Sequence, residues 1–321
     1  MPSIRQALML LLCTVLCNGE TGYNFLVLGD WGGLPISPYR TAIEKNVATG
    51  MNIIAGERKT QFQVALGDNF YFSGVANVDD KRFQETFERV FTGENLQTPW
   101  YFVAGNHDWN GNVSAQIAYT AKSKRWNFPD YYYTKMMTSQ DGTTLQLVLL
   151  DTIMLCGQTE SDFKDELLKL LDKQASEQQW EWIEETLASS KADYLLVGGH
   201  FPVYSIAEHG PTECLVQRLR PLLHKYNVTA YISGHDHNSQ HLEDTSFGTT
   251  MNYFILGSAN FADPSVQHAN SVPANSSKFH NADLVGAFGL FTMSKSQLVV
   301  TVISGKNLEL YQKVLLPRNV N

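Results

Sequence analysis

Phe62-Gln63-Val64-Ala65-Leu66 runs directly into Gly67-Asp68-Asn69-Phe70-Tyr71. The first five residues read as a strand buried in a sheet, and the glycine that follows marks the turn at its carboxyl end. A carboxylate at a strand tip, with a phenol three residues on, offers two hard oxygen donors to one highly charged cation. By itself the stretch also fits a polar turn whose aromatic packs back on the sheet. Four further turns carry ligand-type residues: Gly29-Asp30-Trp31, Gly105-Asn106-His107-Asp108, Gly198-Gly199-His200 and Gly234-His235-Asp236-His237. Each follows a strand-like run, namely Phe25-Leu26-Val27-Leu28, Trp100-Tyr101-Phe102-Val103, Tyr194-Leu195-Leu196-Val197 and Thr229-Ala230-Tyr231-Ile232. Open α/β sheets bind ligands outside the carboxyl ends of their strands, so five such turns are expected to converge on one rim.

From residue 24 to about 240, short apolar runs alternate with amphipathic helical spacing at Tyr39–Ile54, Asp80–Phe91, Val113–Lys122, Asp165–Leu171, Glu177–Ser189 and Glu213–Tyr226. That alternation predicts βαβ units and a largely parallel central sheet. Asp130–Thr134 and Leu145–Leu150 read as an antiparallel pair around the turn at Asp141-Gly142. After Asp244 the helical signal stops and β runs follow one another at Asn252–Leu256, Gly286–Met293, Leu298–Ile303 and Leu308–Val314. These terminal runs predict a second sheet packed on the first. The expected fold is therefore α/β: a four-layer α/β/β/α sandwich of two mixed β-sheets flanked by helices. No linker rich in Pro, Gly or Ser and no internal repeat divides the chain, so residues 20–321 are expected to form a single domain.

With 321 residues and 43% apolar content the chain can bury a substantial core. At the N-terminus, Arg5 precedes an apolar run from Ala7 to Leu16 that ends at Cys17-Asn18-Gly19. This is the layout of a secretory signal peptide, too short to span a bilayer, and residues 1–19 are expected to be removed. Cys13 and Cys17 leave with it. Of the four cysteines, Cys156 and Cys214 remain, and an oxidising compartment favours one disulfide between them, with two separate buried thiols as the alternative. Asn112-Val113-Ser114, Asn227-Val228-Thr229 and Asn275-Ser276-Ser277 are N-glycosylation acceptors, with Asn227 close to a strand start. The net charge is −8, one unit more negative without Arg5, and Lys122-Ser123-Lys124-Arg125 is the densest basic run. No nucleic-acid footprint is present, and no second hydrophobic segment approaches the length of a membrane span.

The donors in the five turns sort into two cation sites. Asp30, Tyr71 and His237 combine carboxylate, phenol and imidazole; Asn106, His200 and His235 supply an amide oxygen and two imidazoles; Asp68 can bridge. Carboxylate and phenolate oxygens favour a hard trivalent ion, whereas the imidazole-rich neighbour suits Fe²⁺ or Zn²⁺. A phenol with an ordinary pKa of about 10 becomes a phenolate only when a strong Lewis acid displaces its proton, so Tyr71 points to Fe³⁺. Two metals roughly 3.5–4 Å apart clamp an in-line displacement at phosphorus, with hydroxide on one ion as the nucleophile. A trivalent ion keeps that hydroxide available at mildly acidic pH, which predicts an acid-side optimum. His107 and His209 lie beside the motifs without being needed as ligands, and either can hold phosphate oxygens or protonate a leaving group. His224, His241, His268 and His280 fit no motif and read as surface or packing residues.

The blocks Gly29-Asp30-Trp31-Gly32-Gly33, Gly67–Tyr71, Gly105–Asp108, Gly198–Ser205 and Gly234–Asn238 together resemble the purple acid phosphatases of the calcineurin-like metallophosphoesterase superfamily, in their small mammalian-type, tartrate-resistant (type 5) branch. The resemblance covers essentially the whole mature chain. It implies Fe³⁺ at Asp30, Tyr71 and His237, a bridging Asp68, a divalent ion (Fe²⁺ or Zn²⁺) at Asn106, His200 and His235, and substrate-contacting or proton-donating roles for His107 and His209. It also implies hydrolysis of phosphate monoesters, whether phosphoproteins, nucleotides or small phosphate esters, by a secreted or lysosomal monomer. Where the wider superfamily has Asp-x-His in its first motif, this chain has Asp30-Trp31-Gly32, and Tyr71 supplies the missing donor. One departure concerns the exposed loop whose proteolysis raises activity in the type 5 enzymes: Gly157 to Ser176 does not look like that loop and reads partly as helix, Asp165–Leu171. Two other classes stay open on the residues alone, a phosphodiesterase using two divalent metals and a catalytically silent binding module.

Overall fold

The computed structural model describes residues 22–161, 164–167 and 172–318. The leader expected over residues 1–19 lies outside them. Two seven-stranded sheets face one another. The first contains β1 (Tyr23–Leu28), β2 (Phe62–Ala65), β3 (Trp100–Phe102) and β4 (Trp126–Asn127) in parallel, extended beyond β1 by antiparallel β14 (Ala287–Met293), β15 (Leu298–Ser304) and β16 (Glu309–Leu315). In the second, β6 (Thr144–Leu149), β9 (Tyr194–Gly198), β10 (Ala230–Ser233) and β12 (Met251–Leu256) run parallel. Antiparallel β5 (Tyr133–Thr138) closes one side of it, and β11 (Ser239–Asp244) followed by β13 (Ser277–Asn281) closes the other.

The strands of the parallel blocks are apolar on both faces because both faces are covered. On β1, Phe25 and Val27 point into the layer between the sheets, while Leu26 and Leu28 meet the helix α1 (Ala42–Arg58). Helix α1 presents Val47, Met51, Ile54 and Ala55 to that sheet and starts in a capping box between Thr41 and Glu44. On the other side, α5 (Lys173–Ser189) contributes Trp180, Ile183 and Leu187, and α6 (Glu213–Lys225) contributes Leu215, Leu219 and Leu223, against the outer face of the second sheet. The shorter helices α2 (Asn106–Trp109), α3 (Val113–Tyr119) and α4 (Thr152–Cys156) lie in the connections. A disulfide joins Cys156, at the end of α4, to Cys214 in the first turn of α6, with Cα atoms 5.6 Å apart. In the chain-entropy model a loop of that span stabilises by roughly 4 kcal/mol.

The four layers match expectation, but the terminal strands do not form a sheet of their own. β14 pairs with β1 from Tyr23↔Met293 to Val27↔Gly289, so β14 to β16 complete the first sheet, while β12, β11 and β13 complete the second. Each parallel block would otherwise end in an open row of backbone donors and acceptors, and the late strands cover those edges. Asp80–Phe91 forms only a single π-helical turn, Phe83–Glu88, preceded by Arg82, whose guanidinium turns inward to two loop carbonyls described below. Of the helix expected at Asp165–Leu171, the described part is strand: β8 (Lys164–Leu167) pairs antiparallel with β7 (Thr159–Ser161). Residues 168–171 lie outside the described residues.

A buried histidine joins the two sheets at their edge. His241 on β11 stacks on Phe254 with ring centroids 4.4 Å apart, donates through Nε2 to Asn252 Oδ1 at 3.0 Å, and accepts at Nδ1 from the Tyr311 hydroxyl of β16 at 2.8 Å. Burial pushes it down to about 4, with Glu243 opposing and Lys313 and Lys278 assisting. The unfolded chain takes up this proton near pH 6.5, so the stabilisation is intact above about pH 6.5 and is lost as pH falls towards about 4, by roughly 3 kcal/mol. Urea titrations of H241Q should show lower stability than wild type at about pH 7.5 but a smaller loss down to about pH 4.5; equal losses in the two proteins would refute this assignment.

Candidate metal centre

All five ligand turns leave the carboxyl ends of parallel strands at one end of the sandwich. Asp30 follows β1, Asp68 follows β2, Asn106 opens α2 after β3, His200 follows β9, and His235 and His237 follow β10. Main-chain bonds tie the turns together, with Gly29 N donating to Leu256 O at 2.7 Å, Asp30 N to Gly67 O at 3.0 Å and Gly234 N to His200 O at 3.1 Å. Asp30, Asp68 and His235 are held at φ values of 57°, 51° and 73°. The left-handed region costs each non-glycine residue about 1–2 kcal/mol, so the surrounding structure imposes these conformations at the site. A Cβ on Gly105 would collide with the Asp68 carboxylate, and one on Gly234 with that of Asp30.

The predicted donors lie in two neighbouring groups. The Tyr71 hydroxyl lies 3.1 Å from Asp30 Oδ1 and 3.0 Å from His237 Nε2, and His237 Nε2 is 3.7 Å from Asp30 Oδ1. In the other group, His200 Nε2 is 2.9 Å from Asn106 Oδ1, and the His235 ring lies 5.0 Å from that of His200. Asp68 sits between: its Oδ1 is 3.4 Å from His200 Nε2, and single ligand atoms of Asp30, Asp68 and His200 lie within 4.8 Å of one another. His107 Nδ1 donates to Phe72 O at 2.8 Å, and its Nε2 lies 3.9 Å from Asp68 Oδ2. The His209 ring stacks on His235 at 3.9 Å, and its backbone N–H donates to Asp236 Oδ1 at 2.9 Å.

This donor set fits cations. Asp30, Asp68, Tyr71 and His200 are all at most 1% exposed, and among the described residues no Lys or Arg pairs with either carboxylate. Burial, then the Asp68 charge, pushes Asp30 well above the usual carboxylate range; burial, then Asp30, raises the Tyr71 phenol. Burial lowers His200, His235 and His237, the last to about 3, so imidazolium does not neutralise the carboxylates. His200 donates from Nδ1 to Leu66 O at 2.9 Å, so its Nε2 lone pair faces the Asn106 oxygen lone pair. Two acceptors at that distance repel unless they share a cation, and ligand atoms about 2.1 Å from one octahedral ion lie about 3 Å apart.

The structure also brings in residues that sequence reasoning passed over. Asp108 is fully buried and accepts from Gly105 N (2.8 Å), Asn69 N (3.0 Å), Phe70 N (3.2 Å) and Gln116 Nε2 (2.8 Å). Asn69 in turn accepts from Trp31 Nε1 at 3.1 Å and donates to Val103 O at 2.9 Å and Gln116 Oε1 at 3.0 Å. These bonds lock the loops of Asp30, Asp68 and Asn106 into one unit. Arg82 donates to the carbonyls of Tyr71 and Gly32, and Gln158 Nε2 donates to Asn106 O at 2.8 Å. Asp108 and Asn69 stand inside the quoted motifs, but Gln116, Arg82 and Gln158 carry no local signal. Asn at position 108 would turn an amide group towards N–H donors, so D108N should cost roughly 2–4 kcal/mol and release metal to a chelator faster than wild type. Wild-type melting and metal retention in D108N would show that this network does not position the ligands.

The chain matches the family model described as calcineurin-like phosphoesterase over residues 23–239. It is 44% identical to tartrate-resistant acid phosphatase type 5 of Homo sapiens across 98% of this chain and 96% of that protein. It is 31% identical to purple acid phosphatase 17 of Arabidopsis thaliana over 75% of each. Among solved structures, GAP50, the anchor in the inner membrane complex of Plasmodium, superposes with a TM-score of 0.76 at 24% identity, covering 93% of this chain and 90% of that one. The chain belongs to the calcineurin-like phosphoesterase family, within its group of purple, tartrate-resistant acid phosphatases.

Proposed function

We propose that this acid phosphatase hydrolyses phosphate monoesters at an Fe³⁺–M²⁺ pair, M²⁺ being Fe²⁺ or Zn²⁺. Asp30, Tyr71 and His237 would hold the trivalent ion and Asn106, His200 and His235 the divalent one, with Asp68 available to both. The observation that carries the reading is the Tyr71 hydroxyl, fully buried and within 3.1 Å of both Asp30 Oδ1 and His237 Nε2. When bound, the two cations supply Lewis acidity, acidifying the attacking water and neutralising charge on the phosphate.

The chain's own groups supply orientation and proton transfer. With Nδ1–H given to Phe72 O, His107 turns Nε2 towards Asp68 and the cleft; protonated there, it donates to a phosphate oxygen or to the departing alkoxide. His209, held through its backbone by Asp236 and stacked on His235, is the second candidate for that proton. The main-chain bonds and the Asp108 network keep the donors in place before substrate arrives, so little reorganisation accompanies the reaction. Phosphoproteins, nucleotides and small phosphate esters present the same dianion to this cleft. Removal of a 1–19 leader, delivery to the exterior or the lysosome, and glycans at the exposed Asn112 and Asn275 complete the reading. The Cys156–Cys214 disulfide supports an oxidising compartment.

Purified, metal-quantified protein is expected to show a visible phenolate-to-Fe³⁺ charge-transfer band that shifts on mild reduction and disappears in Y71F. A metal-loaded but colourless wild type under both conditions would remove Tyr71 from the iron and bring forward a phosphodiesterase with two divalent metals. D68A and H200A should each lower kcat/KM for a monoester by at least about 100-fold, more than outer-shell losses usually cause. Full activity in either, with metal bound, would overturn the mechanism.

A further inference from the structure

At the end of the sandwich opposite the metal turns, where β10 and β12 begin, the two sheets leave a cavity of about 660 Å³. Its wall includes Asn227, together with Thr250, Asn252, Ser296, Lys313, Val314 and Leu316. Asn227 is the acceptor residue of Asn227-Val228-Thr229. It is exposed, sits in the left-handed region at φ 50°, and gives its carbonyl to Arg318 Nε at 3.0 Å. Its side-chain amide makes no hydrogen bond to the described residues. Arg318 also donates to Ser190 Oγ at 3.0 Å, Ala192 O at 3.1 Å and Tyr226 O at 3.0 Å, pinning the C-terminal tail so that the cavity keeps its shape.

We infer that Asn227 carries an N-linked glycan whose first N-acetylglucosamine units fold back into this cavity. The volume lies within the range of about 300–1,000 Å³ that holds small organic ligands. The lining suits an amphipathic sugar: hydroxyl, amide and ammonium groups line it beside Leu315 and Leu316, the latter 74% exposed. An apolar sugar face against Leu316 removes that side chain from water. Thr229, whose hydroxyl accepts from Leu195 N at 3.0 Å, is buried in the folded chain, so the sugar is attached before β10 enters the sheet. In that transfer a bond forms between Asn227 Nδ2 and the anomeric carbon of a lipid-linked diphospho-oligosaccharide. The bond from that carbon to the diphosphate oxygen breaks, the lipid diphosphate departs, and the amide gives one proton to a base of the transferring enzyme. The glycan then acts as a plug between the sheets. This inference rests on passage through the secretory pathway and is independent of the metal chemistry.

The test uses the full chain secreted from mammalian cells. Peptide mass spectrometry after enzymatic deglycosylation should show the asparagine-to-aspartate signature at Asn227. Release of that glycan from native protein should be about tenfold slower than from denatured protein, the protection given by a local opening that costs about 1.4 kcal/mol. N227Q should keep the kcat/KM of wild type and melt at lower temperature. An unmodified Asn227 in the secreted protein overturns the inference, and so does native release as fast as denatured release, whether or not N227Q is secreted.

Discussion

Two carboxylates lie buried beside a phenol at one rim without a Lys or Arg among the described residues paired to them, and this constraint governs the rest of the molecule. An ionised carboxylate taken out of water costs several kcal/mol unless an opposite charge accompanies it. Here burial raises Asp30 and Tyr71, which keep their protons until a cation displaces them, and lowers His200, His235 and His237, so no imidazolium supplies that positive charge. Cations answer that need, and the close approach of Asn106, His200 and Asp68 leaves them a defined place.

Holding such groups together against their repulsion requires a rigid frame. Each sheet contributes loops to both donor groups, Asp30, Tyr71 and Asn106 from the first and His200, His235 and His237 from the second, so packing between the sheets sets the distances within each group. The layer of Phe25, Phe62, Leu196, Ile232, Phe254 and Phe291 fills the space between the sheets. Phe25 and Phe62 stack at 4.6 Å, and Phe25 and Phe291 at 5.0 Å, near the amino-terminal starts of β1 and β2, whose opposite ends lead to Asp30 and Asp68. Above that layer, Asp108, Asn69, Gln116 and Arg82 convert three separate turns into one hydrogen-bonded body. Strain at Asp30 and Asp68 is tolerated because those bonds leave the loops no cheaper conformation, and His235 is held by its N–H donating to Asp30 Oδ2 at 2.8 Å.

Much of this was legible in the sequence because the chemistry is local. A strand followed by glycine and a ligand residue is a short-range pattern, and it recurs in every one of the five turns. The same holds for the capping box at Thr41 and Glu44 and for the apolar spacing of α5 and α6. The π-helical turn at Phe83–Glu88 was not legible as such: its aromatic spacing reads as an amphipathic helix, and only the distant carbonyls of Tyr71 and Gly32 reveal why Arg82 turns inward. Lys164–Leu167 pairs as strand where its composition suggests helix, since β7 supplies backbone partners that propensity does not anticipate.

The sequence by itself determined the five glycine-led turns with their donor-type residues, the α/β layering and the metallophosphoesterase character, because those depend on residue type and on periodicity along the chain. Only the tertiary structure decided which strands share a sheet, since β14 to β16 could pair among themselves or close the edge beside β1, and local pattern is the same in both. It also decided that Asp68 stands between the two donor groups, that Gln158 reaches Asn106, and that Asn227 borders a cavity between the sheets. Those facts are distances between residues far apart in the chain, and they come into being only when packing brings the two sheets face to face.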